Sequence, residues 1–333
     1  MKKIVVFGAT GYIGVYMIDY LKKNLPDGFE ILAVGRKNLS FFEQRGIKIA
    51  TVDVCKDSDF DSLPTKDVFA IINLTGILPA YLNSYDPFAY VETNIKGSLR
   101  ILEYARKNQV DRVLYTQTWS DQGGYWGVEE VLSPKLPRKL IYTGDHAFYA
   151  ITKSMIVDTM EHYKQEYGVK NFVYRLPNVY LYAPRKTYFV EGNERKIAYR
   201  YMIDQASQGH DLEMWGDPNA FKDVLYIKDL CKMMYLGLFA PINGGTYNAG
   251  TGIKTTLRQQ IQGIIDVFSP DPLSTKIIEI PDKASFTSFV MDIENAREEL
   301  GYEPEYTYVK YLEDYKKEQS LKRFDELFIN KRT

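Results

Sequence analysis

Cysteine is nearly absent from this chain of 333 residues, which contains only Cys55 and Cys231. Two cysteines in a chain of this length make neither a disulfide framework nor a zinc site, so we predict no bound metal. Long hydrophobic runs are also missing, and no stretch approaches the ~20 apolar residues of a membrane span. The apolar run Ile4–Phe7 follows two lysines, but it is too short for a signal peptide and ends in glycines. We therefore expect a cytoplasmic protein that does not bind a membrane.

The chain has no excess of charge of either sign. Its 42 basic and 43 acidic residues give a formal net charge of −1 at pH 7. This balance provides no electrostatic footprint for nucleic acid, and an anionic ligand must be bound by a local cluster of cations. The partner we expect is a small molecule.

Short β-rich runs alternate with helical patterns in the first half of the chain, which predicts a parallel sheet covered by crossover helices. The predicted strands lie near residues 3–8, 30–35, 47–53, 68–74, 112–117 and 171–176, and the predicted helices cover 12–24, 88–108 and 146–168. The fold class is α/β, a doubly wound parallel Rossmann sheet with a smaller C-terminal α+β substrate region. We place the division at residues 1–178 and 179–333, with some segments of the second part returning to the sheet.

The alternation breaks down after about residue 178. Residues 184–222 are rich in Arg, Lys, Tyr and Gly and are predicted to be an insertion rather than a core element. A strand near 224–227 and a helix near 228–239 follow. A ligand is expected in the cleft between the two parts.

A glycine-rich turn follows the first predicted strand. Its spacing is G-x-x-G-x-x-G, which allows a tight turn, close approach of the backbone to a pyrophosphate and a helix N-terminus that faces the phosphates. The predicted cofactor-binding residues of this turn are Gly8, Thr10, Gly11, Tyr12, Ile13 and Gly14.

The ends of the second and third predicted strands bear on which nicotinamide cofactor binds. An NAD site usually places an acidic residue at the end of the second strand, whereas this chain has Arg36 and Lys37 there. These cations suit a 2′-phosphate, so NADP is favoured over NAD; the alternative is a solvated pair of surface charges. Asp53 and Val54 follow the third strand, where a carboxylate can meet the adenine amine.

Tyr149 and Lys153 lie at positions i and i+4 of a predicted helix and so share one face. A nearby ammonium lowers the pKa of a phenol, which otherwise is a poor base at neutral pH. We predict that Tyr149 exchanges a proton with a substrate hydroxyl while hydride moves at the adjacent carbon.

Together these features resemble the extended short-chain dehydrogenase/reductase family, in its nucleotide-sugar-modifying epimerase/dehydratase branch. The resemblance extends from Gly8 to about Pro304 and includes the ordered motifs 94–98, 113–118, 175–180, 222–229 and 247–252. It implies that Thr118 is a third catalytic residue, and that the helices near 88–108 and 146–168 form a homodimer interface. Further cofactor contacts implied by the resemblance are Leu74, Thr75, Gly76, Asn94, Pro177 and the catalytic Tyr149 and Lys153.

The substrate region departs from the family pattern. Lys222 stands where many relatives have an Arg that grips the phosphate of the nucleotide sugar, and residues 288–291 contain no Arg. We expect Asn178 and Lys222 to approach the substrate, with Arg195 and Arg200 of the inserted segment supplying charge if that segment covers the cleft; the alternative is that both arginines are solvated.

Trp119 and Ser120 follow Thr118 in place of the Asp-Glu pair of 4,6-dehydratases, which makes dehydration the least favoured of the family's reactions. The resemblance thus implies an NAD(P)-dependent enzyme that epimerises a nucleotide sugar through a keto intermediate. One alternative is an NADPH-dependent ketoreductase of a sugar or another small carbonyl compound. A second is a cofactor-binding regulatory protein without turnover.

Overall fold

The computed structural model describes residues 1–37 and 39–329. The strands, in chain order, are β1 (Lys2–Phe7), β2 (Phe29–Gly35), β3 (Lys48–Thr51), β4 (Val68–Asn73), β5 (Arg112–Thr118), β6 (Val131–Leu132), β7 (Lys170–Leu176), β8 (Val179–Tyr180), β9 (Thr187–Val190), β10 (Asn193–Lys196), β11 (Leu212–Trp215), β12 (Phe221–Lys222), β13 (Leu225–Tyr226), β14 (Gly244–Asn248), β15 (Thr255–Thr256), β16 (Ile277–Ile280) and β17 (Val290–Met291). The α-helices are α1 (Tyr12–Asn24), α2 (Ser40–Glu43), α3 (Pro87–Tyr90), α4 (Ser98–Lys107), α5 (His146–Tyr167), α6 (Ala198–Ser207), α7 (Ile227–Phe239), α8 (Leu257–Phe268), α9 (Glu294–Leu300), α10 (Tyr308–Leu321) and α11 (Asp325–Ile329). None of the helices in these described ranges is long and apolar enough to cross a bilayer.

The predicted parallel sheet is confirmed. Seven strands are ordered β14-β7-β5-β4-β1-β2-β3, and every neighbouring pair is parallel. The central strand β1 is buried on both faces: Ile4 and Val6 pack into one hydrophobic cluster, and Val5 and Phe7 pack into the other. Successive side chains of a strand point to opposite faces, which explains why this strand is a continuous apolar run.

The order of the strands places a ligand crevice at one edge of the sheet. β2 follows β1 on one side, whereas β4 and β5 lie on the other side, so the winding direction reverses at β1. In open α/β sheets, ligands bind outside the carboxyl ends of the strands at this reversal. The glycine-rich turn after β1, Leu74 after β4, Thr118 at the end of β5 and Asn178 after β7 are all placed at these carboxyl ends.

The predicted helix over 88–108 contains an irregular turn. A π-helical segment, Val91–Gly97, joins α3 to α4. Gly97 is closely packed there, since a Cβ atom on it would lie 2.8 Å from Cγ2 of Val54. Single π turns inside α-helices occur frequently at functional sites, and this one holds Asn94.

The prediction that residues 184–222 form an insertion outside the core is wrong for its second half. In α6, Ile203 and Ala206 are buried in the larger hydrophobic cluster, and in β11 Leu212 and Met214 are also buried. The helical spacing of these few apolar residues was hidden by the surrounding Arg, Lys and Tyr residues. The antiparallel β9–β10 hairpin is largely exposed, with its second strand wholly so.

Candidate functional site

The glycine-rich turn is packed so closely that side chains larger than glycine do not fit. Gly8 has a φ of 78°, and a Cβ atom there would lie 2.9 Å from the carbonyl carbon of Leu74. A Cβ atom on Gly14 would lie 2.2 Å from the carbonyl oxygen of Gly8. Helix α1 starts directly after Gly11, which makes no side-chain capping bond. The first N–H groups of the helix are thus oriented toward the crevice, as a pyrophosphate requires.

The ends of β2 and β3 carry the residues predicted to meet the adenosine half of the cofactor. Arg36 and Lys37 are exposed, and neither forms an ion pair within residues 1–37 and 39–329. The carboxylate of Asp53 accepts a hydrogen bond from the backbone N–H of Cys55 at 3.1 Å, which fixes the turn after β3. Val54 is buried against Gly97 of the π-helical segment.

Asn94 connects three elements at the carboxyl edge. Its Oδ1 accepts the backbone N–H of Ile77 at 2.8 Å, and its Nδ2 donates to Oγ1 of Thr152 in α5 at 3.2 Å. A Cβ atom on Gly76 would lie 3.4 Å from Oδ1 of Asn94 and 3.9 Å from Nζ of Lys153. The structure therefore brings three predicted site residues, Gly76, Asn94 and Lys153, to one place.

Tyr149 and Lys153 are both buried on α5, with 8% and 3% of their surfaces exposed. Burial lowers the pKa of Lys153 to about 7, and its Nζ lies 3.9 Å from the centre of the Tyr115 ring. The prediction that Lys153 lowers the pKa of Tyr149 does not hold for the protein by itself. Burial, followed by the neighbouring phenols Tyr90 and Tyr81, raises the pKa of Tyr149, because no charge in the site outweighs the loss of water.

Thr118 is buried at the end of β5 and paired with a second hydroxyl. Its Oγ1 donates to Oγ of Ser120 at 3.1 Å and accepts the backbone N–H of Ser120 at 3.2 Å. From the sequence, Ser120 is notable only as the replacement of an acidic residue. In the structure the side chain of Thr118 caps the helical turn that follows β5, and this cap places Ser120 beside the Thr118 hydroxyl.

A buried polar network behind Thr118 was not predicted. The Gln117 side chain accepts the backbone N–H of Thr118 at 2.9 Å and donates to Oγ of Ser154, the residue after Lys153, at 3.1 Å. Next to it, Arg175 holds the carboxylate of Asp121 through Nε at 2.8 Å and Nη2 at 2.9 Å. Only 5% of the Arg175 side chain and 1% of the Asp121 side chain are exposed. This network joins the ends of β5 and β7 to α5; its only sequence signal is a set of polar residues at the ends of apolar strands.

The predicted substrate residues Asn178 and Lys222 have different surroundings. Asn178 is exposed between β7 and β8, directly after the buried Pro177. Lys222 is half-buried, and its Nζ lies 3.7 Å from the centre of the Phe286 ring. Burial lowers the pKa of Lys222 to about 8, and within the described ranges no carboxylate forms an ion pair with it.

The two arginines predicted to supply charge from the inserted segment differ from expectation. Arg195 is exposed on β10. Arg200 is not solvated: only 8% of its surface is exposed, and its guanidinium donates to the backbone carbonyls of Leu181, at 3.0 Å, and Arg185. Its Nε also donates to the hydroxyl of Tyr199 at 2.9 Å. These bonds use one donor on each of the three nitrogens of the buried Arg200 guanidinium, so it is not retained as a direct substrate anchor.

The residues present fit a nicotinamide dinucleotide. The glycine cradle and the uncapped start of α1 fit a pyrophosphate. Lys153, buried beside Gly76 and without a carboxylate partner among residues 1–37 and 39–329, fits the hydroxyls of a ribose. A doubly wound sheet with this glycine cradle after its first strand and a Tyr149–Lys153 pair on α5 defines the class of extended short-chain dehydrogenase/reductase proteins.

Comparison with known proteins gives the family. The model of the NAD dependent epimerase/dehydratase family matches residues 4–250, and the chain belongs to this family. A UDP-glucuronate 4-epimerase of Thermodesulfobacterium geofontis is 23% identical in an alignment of 313 residues, and the match covers 90% of each chain. The predicted epimerase/dehydratase branch and the predicted class of NAD(P)-dependent enzyme are confirmed.

Solved structures show the same fold. UDP-glucose 4-epimerase from Thermotoga maritima, with UDP-glucose, has a TM-score of 0.74 and 21% identity, and the match covers 96% of this chain and 99% of that one. UDP-glucuronic acid 4-epimerase from Bacillus cereus, in complex with UDP-glucuronic acid and NAD, has a TM-score of 0.71 and 19% identity over 95% of this chain and 99% of that one.

Proposed function

We propose that this protein is an NAD(P)-dependent epimerase that acts on a nucleotide sugar through a keto intermediate. The observation that carries the proposal is the burial of Tyr149 and Lys153 beside Gly76 and Asn94, at the carboxyl edge that also holds the glycine cradle. The names of the similar epimerases support the substrate class.

In this proposal Tyr149 transfers the proton, and Lys153, Thr118 and Ser120 bind the cofactor and the substrate. NAD(P), held by the glycine cradle and Lys153, would supply reversible hydride transfer at a sugar carbon when bound. The hydroxyl oxygen of Tyr149 takes the proton of the sugar hydroxyl in the first half of the reaction and gives it back in the second. Burial of Tyr149 opposes the phenolate state that this exchange requires. Because the pKa of Lys153 is about 7, part of the protein carries a protonated Lys153 near neutral pH, and in this proposal that form, with the bound cofactor, favours the phenolate. The paired hydroxyls of Thr118 and Ser120 hold the sugar oxygen at the end of β5.

Loss of water is disfavoured as the net reaction. Trp119 and Ser120 occupy the positions after Thr118, and neither offers a carboxylate. The nearest acidic residue in sequence, Asp121, is held by Arg175 away from the crevice. An enzyme with this site is expected to return the hydride to the same sugar.

The decisive experiment is incubation of the purified protein with a panel of nucleotide sugars and catalytic amounts of NAD or NADP. An epimerase converts one of them to its epimer, detected by chromatography or NMR, without net change at the absorbance band of the reduced cofactor. Stoichiometric consumption of reduced cofactor with a keto substrate shows a ketoreductase instead. Binding of the cofactor without turnover of either substrate class supports the regulatory alternative.

For the cofactor, we propose a preference for NADP, supported by Arg36 and Lys37 at the end of β2, which are exposed and form no ion pair with the described part of the chain. Titration is expected to show tighter binding of NADP than of NAD, with the difference reduced about 10-fold or more by the double change to Ala. Lys23→Ala, at the far end of α1, is the matched control. Equal affinity of the unaltered protein for both cofactors contradicts this preference.

We also propose that Asn178 and Lys222 approach the nucleotide sugar, that the protein is a homodimer through α4 and α5, and that it works in the cytoplasm. The first of these is supported by the ammonium of Lys222, which is half-buried and has no carboxylate partner among the residues that the structure describes. Free thiols at Cys55 and Cys231 suit a reducing compartment.

A further inference from the structure

Arg185 follows β8 in a turn that other residues fix in place. The backbone carbonyl of Arg185 accepts a hydrogen bond from the guanidinium of the buried Arg200, which also binds the carbonyl of Leu181 at 3.0 Å. The Nε of Arg185 donates to the carbonyl of Thr187 at 2.7 Å. The bond from Arg200 fixes the backbone at Arg185, and the bond to Thr187 fixes the orientation of the Arg185 side chain.

The guanidinium of Arg185 lies between two aromatic rings beside the glycine-rich turn. Its central carbon is 4.8 Å from the ring centre of Tyr81 and 5.8 Å from that of Phe189 in β9. The Tyr81 ring in turn lies 5.8 Å from the ring of Tyr12, the first residue of α1. Burial raises the pKa of Tyr12, and the charges of Arg185 and Arg200 act against this effect.

The two guanidinium charges are not neutralised by the described part of the chain. No carboxylate of residues 1–37 or 39–329 forms an ion pair with Arg185 or Arg200, and the Nη groups of Arg185 have no acceptor among these residues. By contrast the neighbouring Lys186 is paired with Asp204 at 2.5 Å. Arg200 is buried, and a buried cation without a counter-ion is costly; Arg185 beside it is half-buried, and the positive end of α1 adds to the positive charge here.

The turn of the β9–β10 hairpin packs against two segments that precede α3 and α5. A Cβ atom on Gly192, at the turn of the hairpin, would lie 2.9 Å from the carbonyl oxygen of Asn83, just after Tyr81. The backbone N–H of Glu191 donates to the carboxylate of Asp145, immediately before α5. The hairpin that contacts Arg185 through Thr187 and Phe189 is thus fixed both to the segment after Tyr81 and to the start of the helix of Tyr149.

We propose that Arg185 is an anion-binding residue that holds a carboxylate or phosphate group of the ligand in the crevice, with Arg200 as its positioning residue. The chemistry is bidentate recognition of two oxygens by a planar guanidinium. The sources of such a group are a carboxylate on the sugar of the nucleotide sugar, the diphosphate of the nucleotide sugar and the diphosphate of the cofactor. The two sources in the nucleotide sugar rest on the proposed function, whereas the cofactor does not.

Calorimetric titration of the whole protein with NAD, NADP, UDP-glucuronate and UDP-glucose tests the proposal without requiring turnover. Arg185→Gln is expected to weaken the binding of one class of these ligands by about 10- to 100-fold. A loss for UDP-glucuronate but not for UDP-glucose identifies the sugar carboxylate. A loss for both nucleotide sugars identifies the diphosphate of the nucleotide sugar, and a loss for both cofactors identifies the diphosphate of the cofactor. Arg185→Lys, which keeps the charge but not the planar fork, is expected to fall between the unaltered protein and Arg185→Gln.

Lys186→Gln is the matched control, because it removes an adjacent positive charge that Asp204 already neutralises. The proposal is overturned if Arg185→Gln, with an unchanged melting temperature, binds all four ligands as tightly as the unaltered protein. It is also overturned if Lys186→Gln causes the same losses as Arg185→Gln. If no nucleotide sugar is turned over but the cofactor titrations depend on Arg185, the proposed function fails and the anion site stands.

Discussion

At the scale of single residues, Tyr149 is the group on which the proposed chemistry depends. We expect Tyr149→Phe to lower kcat by about 10²- to 10⁴-fold, since the general acid and base is lost. The dissociation constant of the cofactor is expected to change little, because the phenol is not its main anchor. Steady-state kinetics and cofactor titration on the same preparation check both expectations. Tyr90→Phe, a change to a buried neighbour of Tyr149, is the control, and full activity of Tyr149→Phe would remove Tyr149 from the mechanism.

Lys153 gives the protein a pH dependence that can be measured without a substrate. Its pKa is about 7 in the folded protein and about 10.4 in an unfolded chain. Between these values the unfolded chain binds a proton that the folded protein does not, so the free energy of unfolding rises with pH across this window. Relative to Lys153→Met, the unaltered protein is expected to gain stability from pH 7 to pH 10, on the order of a few kcal/mol in total.

Urea denaturation at one-unit pH steps measures this difference, and Lys317→Met, at an exposed position of α10, provides the control. If the free energies of unfolding of the unaltered protein and Lys153→Met differ by the same amount from pH 7 to pH 10, the lowered pKa of Lys153 is contradicted.

At the scale of secondary-structure elements, the network of Gln117, Asp121 and Arg175 holds the ends of β5 and β7 in place. We expect Asp121→Ala to lower the free energy of unfolding by about 3–5 kcal/mol, because Arg175 is left buried without its counter-ion. The double change Asp121→Leu with Arg175→Met is expected to cost less than Asp121→Ala alone, since it leaves no unpaired charge. Urea denaturation of the three proteins checks the order, and a double variant less stable than the single one would contradict this account.

The sequence predicts the local motifs of this site better than it predicts the hydrogen bonds and ion pairs that join distant residues. The glycine spacing and the four-residue separation of Tyr149 and Lys153 are local patterns, so they can be read from sequence. The bond of Asn94 to Thr152 and that of Arg175 to Asp121 join residues more than 50 positions apart, and no local pattern specifies them. The same reason explains why the buried state of Arg200, which depends on the carbonyl of Leu181, was missed.

At the scale of the whole molecule, the two parts of the chain interlock. β14 lies beside β7 in the main sheet although it comes from the second part of the sequence. Near the C-terminus, Arg323 binds Asp19 of α1 at 2.9 Å and Glu318 of α10 at 2.7 Å. We therefore propose that the parts divided at residue 178 fold as one cooperative unit and do not separate on unfolding.

The proposed homodimer is a property of the surface of α4 and α5. Leu99 on α4 and Met155 on α5 are 40% and 50% exposed in the single chain. A carboxylate placed at both positions would be buried without a partner in a dimer, and such burial is costly. We expect Leu99→Glu with Met155→Glu to shift a dimer to a monomer, as measured by sedimentation velocity at micromolar concentrations. Ile253→Glu, at a residue that is also 50% exposed but lies outside these helices, is expected to remain dimeric. An unaltered protein that sediments as a monomer at the same micromolar concentrations would exclude this interface.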